Sequence, residues 1–264
     1  MWRLLHSPPA TGADNMAFDE ALMLRARNRR EWTMRVYSWS EPTLSLGRNQ
    51  AARGGYRLPL LRERRIGIVR RPTGGRAILH DREVTYSVAA PLDAAGDLSE
   101  SYARINRLLL EALRRLGIEA VVVGRGDGTH RLGAAADRGE PGFLPCFHHP
   151  SSGEITVGGR KLVGSAQWRR DGALLQHGSI LVDDDQMALS SLSTHPAAPI
   201  PASATLRRAL GRAPDILEVA DALFAAVRAL EDPDATPLED SSSLEETTRV
   251  LRARYLDDGW TWRR

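Results

Sequence analysis

The stretch GEITVGGRKLVGSAQWRRDGALLQHGSILV, residues 153–182, decides how this chain folds. Gly158-Gly159 and Asp171-Gly172 are both favoured two-residue hairpin turns, because the turns that match strand twist need positive φ at their central positions. The flanking residues are strand formers, so the spacing predicts a three-strand antiparallel meander. With both turns two residues long, Lys161 pairs with Thr156, Gln167 with Gln176, and Ser165 with Gly178. Side chains alternate faces along a strand, which gathers Lys161, Val163, Ser165, Gln167, Gln176 and Gly178 on one polar face. The other face, with Ile155, Val157, Leu162, Ala166, Trp168, Leu175 and Leu181, is expected to be core.

Outward from the meander the pattern mixes strands and helices. Upstream, a helix is expected from Asp14 or Asn15, which would cap it, toward Arg25 and Arg27. Strand signals follow at residues 32–39, 43–47, 66–71 and 84–88. A second helix is expected to be capped by Ser99. Its Tyr102, Ile105, Leu108, Leu109, Ala112, Leu113 and Leu116 recur at helical spacing, and Gly117 ends it. Residues 119–123 read as a buried strand and 124–145 as a long polar loop that delivers Cys146. Downstream lie a Pro/Ser-rich connection at 194–204, a helix at 215–230 and a last helix at 244–255. This order indicates an α+β fold: one domain over 1–264 built on a mixed, largely antiparallel sheet with flanking helices. The expected core spans roughly 30–230, with a C-terminal helical tail at 231–264.

The composition supports a folded globule and narrows its chemistry. The chain has 264 residues, 42% hydrophobic and 26% charged, which excludes disorder and collagen-like repeats. Of its 36 Lys+Arg residues only Lys161 is lysine, and Cys146 is its single cysteine. One cysteine makes no internal bridge, so the thiol is either filler or chemistry in a reducing compartment. The N-terminus lacks a signal-peptide core and no run of eighteen apolar residues occurs, so a cytoplasmic location is expected, with no membrane partner. The net charge of +3 is spread among 33 acidic residues, which argues against a nucleic-acid binder. The densest basic stretch is Arg62, Arg64, Arg65, Arg70 and Arg71, suited to solvent, an acidic protein or a phosphate-bearing ligand.

Three segments carry candidate chemistry. In Arg70-Arg71-Pro72-Thr73-Gly74-Gly75-Arg76-Ala77-Ile78-Leu79-His80-Asp81, glycines let backbone N–H groups approach a ligand and arginines can neutralise an anion. The segment lacks the Gly-Lys-Ser/Thr ending of a nucleotide P-loop. Cys146 sits in Pro145-Cys146-Phe147-His148-His149-Pro150, where a histidine could serve as base or metal ligand. A fourth ligand is not evident, so no metal is expected. A thiol attacks as its thiolate, which a nearby ammonium stabilises. Lys161 supplies a compact point charge that guanidinium cannot copy, so Cys146 and Lys161 form a candidate nucleophile and activator.

Arg70 through Arg76 and on to His80, then Gly159-Arg160-Lys161-Leu162-Val163-Gly164-Ser165-Ala166-Gln167, then Leu175-Gln176-His177-Gly178-Ser179-Ile180-Leu181, resemble the biotin/lipoate protein ligase superfamily. Asn15-Met16, Asp19-Glu20 and residues 42–47 support the match. Within the superfamily the chain is most similar to the octanoyl-[acyl carrier protein]:protein N-octanoyltransferases that modify the glycine cleavage H protein. The resemblance implies the biotin/lipoate protein ligase-like fold. It also implies a cysteine that accepts octanoyl from the acyl carrier protein and passes it to a lysine of a lipoyl-type domain, with no cofactor. Carried over by position, Cys146 is the nucleophile and Lys161 lowers its pKa and contacts the thioester carbonyl. Arg71, Thr73, Gly74, Gly75 and His80, with Gln176, His177 and Gly178, would line the acyl pocket. Gly164 and Ser165, or the Gly74-Gly75 turn, would supply oxyanion-hole amides. Arg76 stands where lipoate ligases typically show a third glycine, and the last 80 residues leave little room for their additional C-terminal domain. Both favour the transferase over an ATP-dependent lipoate-protein ligase. An octanoyl amidotransferase acting between lipoyl domains is the remaining alternative within the family.

Overall fold

In a computed structural model of the chain both predicted hairpin turns close as the sequence requires. Gly158, Gly159, Asp171 and Gly172 have φ of 56°, 73°, 50° and 81°, the left-handed pair of a type I′ turn. The structure describes residues 1–124, 147, 153–195, 201–239 and 242–264. Cys146, His148, His149 and the loop expected at 125–145 lie outside the described residues.

The strands are β1 (Trp2–His6), β2 (Trp32–Tyr37), β3 (Thr43–Leu46), β4 (Gly67–Arg70), β5 (Ile78–His80), β6 (Glu83–Pro91), β7 (Val121–Val122), β8 (Ile155–Val157), β9 (Arg160–Arg170), β10 (Ala173–Leu181) and β11 (Thr236–Pro237). The helices are α1 (Gly12–Arg29), α2 (Leu58–Glu63), α3 (Leu98–Arg115), α4 (Ala188–Leu192), α5 (Leu206–Leu210), α6 (Ile216–Leu230), α7 (Ser242–Leu256) and α8 (Asp258–Thr261). The large sheet has the order β11-β1-β2-β6-β10-β9-β8-β7, and a small sheet has the order β4-β3-β5. In the large sheet β1 is parallel to β11 and β2, and all other neighbours are antiparallel. The expected α+β fold on a mixed, largely antiparallel sheet is therefore the observed one. No described helix is long and apolar enough to cross a membrane.

The two faces of the large sheet are both covered. Val84, Tyr86, Val88 and Ala90 of β6 pack with Ile105, Leu108 and Leu109 of α3 and Leu223 and Val227 of α6. Each fully buried leucine there stabilises the fold by about 1.5–3 kcal/mol. The alternate residue Ala89 packs with Ala21, Leu22 and Ala26 of α1, and α7 lies against α1 through Tyr255 and Leu251. The small sheet closes over Leu61, Leu189 and Leu192.

Local details depart from the sequence reading where caps and edges compete. Helix α1 starts earlier, because the Thr11 side chain accepts from the Asp14 amide at 3.3 Å. Asn15 is thereby freed to donate to the carbonyls of Ala10 and Ser38, each at 3.1 Å. Asp97 rather than Ser99 caps α3, in a reciprocal capping box with Glu100. The segment expected as a buried strand at 119–123 forms only β7, an edge strand with Val121 63% exposed.

Candidate active site

The meander pairs as its turns dictate: Thr156 opposite Lys161, Gln176 opposite Gln167, and Gly178 opposite Ser165. One irregularity changes the result. The register shifts by one residue between the Thr156–Lys161 and Ile155–Val163 pairs, leaving Leu162 as an extra residue on β9. Such a bulge breaks the alternation of faces. Leu162 and Val163 both join the core under α3, and Lys161 turns to the opposite face, beside Gly164. A Cβ on Gly164 would lie 2.9 Å from Lys161 Cε and 3.2 Å from Nζ. Lys161 therefore does not share a face with Ser165, Gln167 and Gln176 as strict alternation predicted.

On its actual face Lys161 is buried, with a side chain 1% exposed and Nζ 2.6 Å from Glu154 Oε1. A buried ammonium needs such a counter-charge. The Phe147 ring lies 4.7 Å from Nζ and packs with Ile78 of β5 and Leu181 of β10. Gly164 makes room for both groups, since the same Cβ would lie 3.2 Å from Phe147 Cζ. Gly164→Ala is expected to displace lysine and phenylalanine together and cut the acyl transfer that the sequence resemblance implies by about 10-fold or more, while overpacking costs about 1–3 kcal/mol of stability. Acyl-transfer rates normalised to folded protein check this; an unchanged rate removes Gly164 from the site.

Further along the same face a buried chain of polar groups ties the glycine loop to β10. His177 Nδ1 is 3.1 Å from Asp19 Oδ2, and His177 Nε2 is 2.7 Å from Thr73 Oγ1. Asp19 also accepts from Arg35 at 2.8 Å, Ser87 at 2.8 Å and Tyr37 at 2.9 Å. Burial alone would raise the Asp19 carboxyl, but the bond from His177 and the charge of Arg35 bring it below the ordinary carboxylate value. The carboxylate in turn raises the Tyr37 phenol, which burial already drives well above its usual value. The two contacts fix the ring, with Nδ1 toward the Asp19 carboxylate and Nε2 toward the Thr73 hydroxyl.

Arg71 and the glycines shape the loop itself. The Arg71 guanidinium donates to the carbonyls of Gly74 at 2.8 Å, Arg76 at 2.7 Å and Ser45 at 3.0 Å. It is buried, and these bonds hold the loop's carbonyls inward rather than presenting the guanidinium as an anion hook. Gly75 adopts φ of 94°, and a Cβ on Gly47 would overlap its carbonyl. The amides of Gly74 and Gly75 have no hydrogen-bond acceptor among the described residues. His80, at the far end of the loop, stacks on Trp39 at 3.9 Å and contacts Ser179 Oγ at 3.2 Å. Burial pushes its imidazole below the ordinary value while Glu83 works against that shift, so the ring is neutral at pH 7.

Thr73, His80, Gly164, His177 and Lys161 thus come together on the face toward α1 and the small sheet. Ser165 and Gln176 project to the other face. There Ser165 Oγ is 2.7 Å from Tyr86 Oη, Gln176 donates to Tyr86 at 3.0 Å, and Gln167 donates to Gln176 at 3.0 Å. Gly178 sits beneath this network, where a Cβ would meet Gly164 O at 2.6 Å and Tyr86 Cε1 at 2.8 Å. Its role is close strand packing. The side chains of Ser165 and Gln176 stiffen β9 and β10 from behind. Sequence reading missed Glu154, Phe147 and the site role of Asp19. Phe147 and Glu154 flank the lysine motif and the cysteine closely in sequence, but neither residue type signals chemistry alone. Asp19 lies 158 positions from His177, a separation no local pattern spans.

Residues 11–228 match the family model of the lipoyl protein ligase A/B catalytic domain, and the chain belongs to this family. Octanoyltransferase LipM of Kyrpidia tusciae is 40% identical over 276 residues, covering 100% of this chain and 99% of the relative. Octanoyltransferase LipM of Moorella thermoacetica is 37% identical over 277 residues, covering 100% of this chain and 98% of the relative. Among solved structures, lipoate-protein ligase A bound with ATP superposes with a TM-score of 0.74 at 24% identity, over 99% of this chain and 97% of that one. A bipartite lipoate protein ligase from Thermoplasma acidophilum gives a TM-score of 0.75 at 24% identity, over 98% and 95%. These two likenesses show the shared fold.

Proposed function

We propose that this protein is an octanoyltransferase of lipoate biosynthesis that works through an acyl thioester on Cys146. The observation that carries the reading is the setting of Lys161: a buried ammonium against the ring of Phe147, the residue that follows the only cysteine in the chain. The Phe147 ring is fixed beside this ammonium, and the cysteine is its neighbour in sequence. Identity to LipM octanoyltransferases over the whole chain supports the same reading.

The chemistry follows from charge. Lys161 stabilises the Cys146 thiolate, which attacks the carbonyl of an octanoyl thioester on acyl carrier protein. A new C–S bond forms, the carrier's C–S bond breaks, and the carrier thiolate leaves. Exchange between sulfurs is nearly isoenergetic, so no nucleotide is required. In the second step a lysine amine of a lipoyl-type domain, such as the glycine cleavage H protein, attacks the acyl-enzyme. A C–N bond forms, the C–S bond breaks, and the amine proton returns to the departing sulfur. Negative charge develops on the carbonyl oxygen in both steps, and the Gly74 and Gly75 amides with Lys161 are the donors suited to it. Glu154 holds the lysine in place between turnovers. A reduced thiol suits a cytoplasmic setting.

Intact-mass measurement after incubation with octanoylated acyl carrier protein, without ATP, is expected to show one octanoyl adduct that maps to Cys146 and is absent from Cys146→Ala. An unchanged mass overturns the mechanism. Transfer by Cys146→Ala from free octanoate and ATP would identify an ATP-dependent ligase instead.

A further inference from the structure

The basic stretch picked out by the sequence divides in the structure. Arg70 and Arg71 are buried, and Arg70 is spent on the carbonyls of Thr261 at 2.7 Å and Gly47 at 2.6 Å. Arg62, Arg64 and Arg65 are exposed, and Arg53 and Arg57 join them on the same surface around α2. Elsewhere the surface arginines are commonly paired. Arg3, Arg30, Arg82, Arg104, Arg212 and Arg249 each hold a carboxylate. Among the described residues no carboxylate pairs with Arg53, Arg57, Arg62, Arg64 or Arg65. Five arginines against the exposed Glu63 and Asp258 leave this surface net positive, which favours an anionic partner.

This unpaired group surrounds an apolar groove. A cavity of about 650 Å3 opens between α2, β4 and the C-terminal segment, floored by Leu61, Ile66, Ile68 and Trp262 and rimmed by Arg53 and Arg62, with Asp258 as the one acidic residue lining it among the described residues. Leu58 on its wall is 36% exposed. Apolar floor and cationic rim together fit an amphipathic helix that carries carboxylates beside an apolar ridge. The groove is also close to the chemistry: Ile68 on its floor and Thr73 in the glycine loop are five residues apart, a span of at most about 18 Å.

We propose that this groove docks an acidic helix of the carrier protein that delivers the acyl group. The inference rests on the transferase reading above and adds the surface and the partner's chemistry to it. The rim arginines steer the carrier and fix its register, and the apolar floor holds one face of its helix.

The test compares the wild-type protein with the triple variant Arg57→Glu/Arg62→Glu/Arg65→Glu, whose changes are all on exposed side chains. Binding of fluorescently labelled acyl carrier protein is followed by anisotropy, and transfer is measured from octanoylated carrier and from octanoyl-N-acetylcysteamine. The variant is expected to bind carrier on the order of 10-fold to 100-fold more weakly. Its KM for octanoylated carrier should rise in parallel, with rates from the small thioester and the KM for the acceptor domain unchanged. Wild-type affinity should fall steeply with salt, a readout that needs no variant to fold. Equal carrier affinity in the two proteins, or a salt-independent wild type, overturns the docking surface. A rise only in the acceptor's KM overturns it in favour of the lipoyl-type partner. Salt-sensitive carrier binding with no transfer from either donor supports the docking surface and fails the transferase reading alone.

Discussion

Lys161→Arg is expected to slow octanoyl transfer by roughly 10²–10³-fold, although it keeps the charge. The ammonium occupies a slot bounded by Glu154 Oε1 at 2.6 Å, the Phe147 ring at 4.7 Å and the bare Cα of Gly164. Guanidinium is planar and larger, and in that slot it must displace Phe147 or leave Glu154. Overpacking costs about 1–3 kcal/mol, so the rate is normalised to folded protein. Single-turnover acylation from octanoylated carrier is the informative measurement, because in the proposed mechanism it isolates the step in which thiolate and carbonyl both need the ammonium. Lys161→Met, which fills the slot without charge, should lose at least as much. An arginine variant with full activity would falsify the assignment of the lysine's compact geometry to the mechanism.

Asp19→Ala is expected to cost about 3–5 kcal/mol of stability, the usual effect of removing one partner of a buried ion pair. For a chain of this size that lowers Tm by about 6–20 °C. Asp19 is fully buried and accepts from Arg35, Tyr37, Ser87 and His177. Its loss leaves the buried Arg35 guanidinium without a counter-charge, with only Ser7 and Asn15 to accept from it, and removes the group that orients His177. Thr73 then loses a fixed partner and the glycine loop its tether, so activity should fall with stability. Adding Arg35→Met should restore a large part of the stability and none of the activity. The pH dependence has a definite sign. The folded carboxyl is held below its unfolded value, so its contribution is complete above about pH 4 and is lost as pH falls through the folded pKa. Denaturant unfolding at neutral and acid pH should show the wild type losing more stability on acidification than Asp19→Ala. Equal acid sensitivity would mean that the carboxylate is not the anchor of this network.

The turn pairs Gly158-Gly159 and Asp171-Gly172 were legible because positive φ is a local demand that few residues meet. The strand pairings between them followed by counting. The motif around Arg71 to His80 and the two singletons Cys146 and Lys161 stand out in the sequence because their residue types can carry chemistry. The face that Lys161 occupies was not. A single bulge at Leu162, stabilised by burying Leu162 and Val163 together under α3, moves the lysine across the sheet. Sequence alternation alone would keep it with Ser165 and Gln176, whose side chains instead support β9 and β10 through Tyr86. The same holds for the arginines. Arg71 and Arg62 are alike in sequence, yet one clamps loop carbonyls and the other faces solvent. By itself the sequence determined the meander, the sheet class, the family and the reactive residue types, because these rest on local backbone preferences and on side-chain chemistry. Only the tertiary structure decided which face the lysine serves and that Asp19 fixes His177, since burial and long-range hydrogen bonds join residues that no local pattern connects.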